Sequence, residues 1–154
     1  MNTLLFVISS YYIDTPLLTG IGFIFIIIFA IVLVPVIFYL ITLQNTLKEV
    51  SQENQKMRPG KVWLCLIPLF GTVWNFFVVG YIADSLKLEF NKRNIPVEDR
   101  PAYSIGLTYS ILSACSYVPF LGGLAELGAL VLWIIYWVKI NEYKTKLQNS
   151  KIQN

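Results

Sequence analysis

The sequence predicts an all-α, polytopic integral membrane helical bundle: three full transmembrane helices plus one Pro/Gly-broken re-entrant or shallow hairpin. Three observations lead there. The chain is 56% hydrophobic and only 14% charged, against about 25% charged in an average soluble domain. Its mean hydropathy is +0.62. Its 12 Lys and Arg residues all follow residue 47, in three clusters. Too few polar residues remain to cover a water-soluble globule of 154 residues. The same composition excludes a disordered tail or a fibrous protein.

The longest apolar run, Leu17–Leu43, exceeds the roughly 20 residues that span a bilayer, so residues 17–43 are a transmembrane helix with some tilt. Pro35 should kink it. The stretch before it carries Asp14 but no Lys or Arg. Met1–Pro16 therefore lacks the basic region of a signal peptide and reads as a retained lead-in. Residues 44–61 turn polar, yet Leu40, Leu43, Leu47, Val50 and Met57 keep a 4-3-4-3 spacing, with Asn54 in the open slot. That spacing predicts a cytoplasmic helical extension, packed on its own chain or in an oligomeric coiled coil, and stopped by Pro59-Gly60.

Residues 62–92 form an apolar stretch broken by Pro68 and Gly71, with an amphipathic exit, DSLKLEFNKRN. Residues 102–118, rich in Ser, Gly and Ala, and residues 123–140, strongly apolar, are the remaining transmembrane helices, joined by the turn VPFLGG. Residues 141–154 are a basic tail.

Charge position decides topology. The clusters are Lys48, Lys56, Arg58, Lys61; Lys87, Lys92, Arg93, Arg100; and Lys139, Lys144, Lys146, Lys151. The positive-inside rule places all three in the cytoplasm and the N-terminus outside. A single crossing by residues 62–83 would put eight of the 12 cations on the wrong side. From Val62 to the proline there is only about 10 Å of helix, too short to span. The chain should therefore reverse near Pro68-Leu69-Phe70-Gly71 and return. Backbone that leaves the helix at that depth must be covered by protein. Aromatic residues fit: Tyr11, Tyr12 and Tyr117 fall at the outer interface, and Trp63, Tyr103, Tyr136 and Trp137 at the inner one. Four simple transmembrane helices are the alternative.

At an offset of 51 residues, Pro68, Gly71 and Asn75 align with Pro119, Gly122 and Glu126. Either two related hairpins share this pattern, as repeats do in transporters, or Pro and Gly simply mark two helix breaks.

Chemistry has few residues to use. The chain has no His, and Cys65 and Cys115 both lie in apolar segments. No zinc motif, redox CxxC pair or His-activated nucleophile can be drawn. No base is placed to activate a Ser or Cys, and the acids are too scattered for metal-assisted phosphotransfer. No catalytic residue, metal site or cofactor is expected.

The candidate intramembrane polar residues are Glu126, Asn75 and Asp84. Glu126 has two readings: an ion, proton or partner contact, or a structural group that is protonated or hydrogen-bonded to the Ser-rich facing helix. Asn75 reads as an interhelical hydrogen-bond donor. Asp84 should be solvated and paired with Lys87 at i,i+3. Gly106, Ser110 and Ala114 on one helix, and Ala125 and Ala129 on the next, form a close-packing face between antiparallel neighbours.

The segment Arg58–Asn94 carries Pro59-Gly60, Val62-Trp63, Ile67-Pro68-Leu69-Phe70, Trp74, Ile82-Ala83-Asp84-Ser85-Leu86 and Glu89-Phe90. Over this quarter of the chain it resembles a functionally uncharacterised family of small multi-pass bacterial membrane proteins of the Bacteroidota type. The resemblance implies a bacterial inner-membrane location and brings no activity with it.

The expected function is therefore non-enzymatic. The chain should act through protein contacts, as a subunit or accessory of a membrane complex or as a homo-oligomer, with a second seam at Trp133, Trp137, Ile140 and Leu147. Its basic loops should touch anionic lipid headgroups. Nucleic acid is not an expected partner, since the basic residues are interleaved with acids and net charge is only +3. The alternative is an oligomeric ion channel or small transporter using the broken segment and Glu126.

Overall fold

The computed structural model describes the backbone of residues 2–119 and 122–152 and the side chains of residues 18–119 and 122–151. The interfacial positions expected of Tyr11 and Tyr12, and residues Phe120 and Leu121 of the second turn, lie outside what is described. Among the described residues there are helices and turns and no strand. Four α-helices follow in order: α1 (Asn2–Glu49), α2 (Phe70–Lys92), α3 (Tyr103–Cys115) and α4 (Gly122–Ile152), with short 3-10 segments at Gln52–Asn54 and Pro59–Leu66. Two helices are long and apolar enough to cross a membrane, Leu18–Glu49 and Gly122–Lys151.

The chain divides into two units, 1–38 and 39–154. In the first, α1 runs unbroken through Pro35, and no described side chain from Leu18 to Phe38 is buried. This is a helix that is apolar on every side, which suits lipid or a protein partner rather than water.

From Tyr39 onward the pattern inverts. Tyr39, Leu40, Leu43, Leu47, Val50 and Met57 are all buried within the chain. The seam is thus packed on its own chain. Its helix, however, stops at Glu49 rather than continuing to the Pro59-Gly60 break. The reason is tertiary. The Ser51 N–H leaves the helical ladder and donates to the Glu89 carboxylate at 3.0 Å, with Ser51 Oγ at 3.1 Å and Asn54 Nδ2 at 2.8 Å. The Gln55 side chain then caps the helix end, donating to the carbonyls of Leu47 and Val50 at 2.9 Å.

The next two elements form a reversal. The 3-10 helix Pro59–Leu66 gives way to extended Ile67 and to Leu69 at φ +62°. The Phe70 N–H then closes a γ-turn on the Pro68 carbonyl at 2.7 Å. The two arms are pinned by Trp74 Nε1 donating to the Lys61 carbonyl, and Trp63 Nε1 is anchored on Gln44. A second reversal joins α3 to α4, which pack as antiparallel neighbours. The Gly106 backbone lies against Val79 and the Tyr136 ring: a Cβ there would stand 2.6 and 2.7 Å from them.

The reversals share their local backbone geometry at an offset of 51 residues. Ile67 N–H donates to Leu64 O, as Val118 N–H does to Cys115 O. Gly71 N–H donates to Ile67 O, as Gly122 N–H does to Val118 O. A Cβ on Gly71 would stand 2.1 Å from the Cys65 carbonyl oxygen, and one on Gly122 would stand 2.5 Å from that of Ser116. Both glycines are therefore required by close backbone approach. Pro68 and Pro119, three residues earlier, contribute no N–H to satisfy.

Candidate functional site

The polar residues fall into two groups, one between the hairpins and one at the charged end of the bundle. In the first, Asn75 is buried on α2 and donates from Nδ2 to Ser110 Oγ on α3 at 2.7 Å; Ser110 in turn donates to the Gly106 carbonyl at 2.8 Å. Small residues on α3 admit this contact, because Gly106 leaves room for the ring of Tyr136. Ala129 of the facing helix is buried and Ala114 and Ala125 are half-buried. The hydroxyls of Tyr39 and Tyr136 are buried without a hydrogen-bond partner among the described residues.

Glu126 stands apart. It is exposed on α4, although its counterpart at the 51-residue offset, Asn75, is covered. Asp84 is also separate, and its partner differs from the one expected. It pairs with Arg100, with Nε at 3.0 Å and Nη2 at 2.9 Å, while Lys87 pairs with Asp99. The 93–102 connection folds back and brings Arg100 over the Tyr103 ring at 3.7 Å, so a planar two-pronged donor displaces the i,i+3 lysine. The three intramembrane candidates are thus not assembled into one site.

The second group centres on Glu89, which sequence reading left in an unremarked amphipathic tail. Its side chain is only 1% exposed. Burial alone would raise its pKa, but donors from Asn54, Arg93 and Ser51 outweigh that and bring it from the ordinary 4.5 to about 2. Arg93 spends all five of its N–H donors. Two go to Glu89, at 2.9 and 2.6 Å, and the others reach the carbonyls of Glu49 and Leu147 and Ser150 Oγ. This knot ties the end of α1 and its following turn to α2 and to the last turns of α4. The i,i+4 spacing of Glu89 and Arg93 is the one signal in the sequence that could have found it.

Beside the knot is a cleft of about 460 Å³ lined by Lys48, Glu49, Gln52, Gln55, Arg93 and Lys151, among others. Lys151 donates to Glu49 at 2.6 Å and Gln148 donates to its other oxygen at 3.1 Å. Nearby, Tyr143 and the Ala102 N–H both donate to Glu98 and hold its carboxyl below the usual range. A carboxylate so saturated with donors cannot serve as a base, and an arginine with every donor committed cannot clamp a substrate. Among the described residues, no group of three or more His, Cys, Asp or Glu could hold a metal ion. The geometry describes a fastener. No family model matches the chain, and neither a curated protein nor a solved structure matches it.

Proposed function

We propose that this chain is a non-enzymatic integral membrane protein of the bacterial inner membrane that acts through protein contacts, as a subunit or accessory of a larger complex or as a homo-oligomer. The observation that carries this reading is α1 from Leu18 to Phe38. It reaches a mean hydropathy of 3.3 over its most apolar window, and every described side chain from Leu18 to Phe38 is exposed or only half-buried. The two cytoplasmic seams expected to bind partners are used inside the chain, with Ile140 and Leu147 as deeply buried as Leu43 and Leu47. This helix, with the exposed apolar face of α4 (Leu124, Leu127, Val131, Val138), is therefore a surface left for association.

In the membrane, the N-terminus lies outside and the C-terminus and all three basic clusters lie in the cytoplasm, against anionic headgroups. Helix α1 crosses. The chain from 62 to 92 goes in and returns, and residues 102–140 form a second out-and-back pair. The test is native mass measurement after extraction in mild detergent. A defined assembly with itself or other membrane subunits supports the reading, and a strictly monomeric, partner-free particle sinks it.

A channel or small transporter is the second reading, favoured by one observation: Glu126 is an acid on an exposed face of an apolar helix, and such residues are costly in lipid unless something covers them. It predicts ion flux in liposomes that is lost in Glu126→Gln. Asn75→Leu is the less direct probe, because Asn75 is already committed to Ser110 within the chain. Flux unchanged by Glu126→Gln, or no flux under any gradient, excludes this reading.

A further inference from the structure

The shared reversal geometry has a bearing on how deep each hairpin goes. The charged end of the bundle is marked by the Asp84–Arg100 pair and by Lys139. From Asp84 up to the start of α2 at Phe70 is about 21 Å of helix, and from Lys139 up to Gly122 about 25 Å, at about 1.5 Å per residue. Helix α3 has 13 residues, about 20 Å. A bilayer core is about 30 Å thick: α3 and the part of α2 above Asp84 fall short of it, and α4, long enough as a whole to cross, falls short in the part that lies above Lys139.

The tips are also wrong for water. Leu69 is 72% exposed, Tyr117 62% and Leu124 80%, and the turn sequences themselves, Ile67-Pro68-Leu69-Phe70 and Val118-Pro119-Phe120-Leu121, are wholly apolar. Several of the described amides of these turns are satisfied locally. The N–H groups of Ile67, Phe70, Gly71, Val118 and Gly122 all donate to carbonyls within the same turn, and each proline removes one donor more. Backbone placed in hydrocarbon must satisfy itself in this way. The two tips lie side by side, since Thr72 Oγ1 and Tyr117 Oη are 3.2 Å apart. The first tip is shallow for a further reason: Lys61, exposed and joined through its carbonyl to Trp74, needs to reach headgroups by snorkelling.

We propose that both hairpins, 59–92 and 103–140, enter from the cytoplasmic side and end inside the bilayer, their apolar tips docked among lipid acyl chains. Helix α1 is then the one full crossing, and the partner of the tip surface is lipid rather than water or a periplasmic protein. The inference rests on the membrane reading above and on the shared cytoplasmic side of the basic clusters, and it replaces the two crossings of residues 102–140 with a hairpin that turns back inside the bilayer.

Single cysteines test it, placed in a Cys65→Ala, Cys115→Ala background and probed with a membrane-impermeant maleimide on intact cells. Val73→Cys on the first hairpin and Leu124→Cys on the second should label at less than a tenth of the level reached after detergent solubilisation. Asn91→Cys and Asn149→Cys report the cytoplasmic side. External labelling of Leu124→Cys with both reporters silent overturns this inference and leaves the topology standing. External labelling of Asn91→Cys overturns the topology and the inference together. The unaltered protein in lipid nanodiscs supplies a second readout. The amides of Ile67, Phe70, Gly71, Tyr117 and Val118 should exchange at least tenfold more slowly than in detergent-free denaturant, and complete exchange within seconds overturns the proposal.

Discussion

The charged base of the bundle and its apolar tips solve one problem with opposite materials. Both must hold chain segments that have left the helix. At the base, the turn after α1 is held by a buried carboxylate that takes donors from Ser51, Asn54 and Arg93. At the tips there is no charge to use. Proline removes a donor, short-range bonds absorb several others among the described residues, and glycine lets the backbone approach a carbonyl six residues back. The difference teaches that electrostatic fastening is confined to the polar end of the bundle, while the apolar end relies on fit.

The largest effect should come from cutting the base. Arg93→Ala leaves Glu89 buried without its cation and frees the last turns of α4. Unfolding stability in mild detergent should fall by about 3–5 kcal/mol. A loss below about 1 kcal/mol, the value of an exposed pair, would mean that the base is held by its apolar seam alone.

Acid gives the next test. The Glu89 carboxyl is depressed from 4.5 to about 2, so its contribution is present above pH 4.5 and drains away as pH falls toward 2. The sign follows because the unfolded chain binds the proton first. The shift corresponds to about 3 kcal/mol. A pH series of melting curves should show this acid limb, and Glu89→Gln should flatten it.

At the tips, Gly71→Ala and Gly122→Ala should each cost about 1–3 kcal/mol through overpacking, with Gly71→Ala the worse because its approach is 2.1 Å against 2.5 Å. Gly123→Ala, with nothing within 4 Å, is the matched control and should be silent. If Gly122→Ala is silent as well, the two reversals do not share a constraint. The smallest effect should come from the exposed Lys87–Asp99 pair. Asp99→Asn should leave the melting temperature unchanged within error at physiological salt, because exposed pairs are screened.

The apolar half was the legible half. Hydropathy marks the apolar stretch 17–43 inside α1 but neither of its ends at Asn2 and Glu49, and Pro68 and VPFLGG mark both reversals, because proline and glycine act locally on the backbone. The small residues Gly106, Ser110 and Ala129 were readable for the same reason: their value lies in size. The base was not readable. Glu89 draws donors from positions 35 and 38 residues away, and no local pattern encodes that. It also explains why α1 stops at Glu49, since a tertiary carboxylate outbids the next turn of helix. Asp84 shows the same limit. Its lysine at i,i+3 was available, but a loop brought Arg100 in its place. Glu126 could be found from sequence as an acid in an apolar helix, but its exposure is set by packing within residues 39–154, which no local pattern encodes.

The paired glycine reversals bear on biosynthesis. A loop that ends up outside must be carried through the bilayer, and each Lys or Arg moved through its centre costs about 2.5–3.5 kcal/mol even on insertion-based scales. In the proposed topology both tips are uncharged and all 12 cations stay on the side of synthesis, so neither hairpin would require such transport. Each can slip into the membrane as a closed pair of arms once its second arm has emerged. The first is complete at Lys92, before α3 begins. The segment that the proposed topology translocates is the start of α1, which bears a single acidic residue, Asp14, and no Lys or Arg.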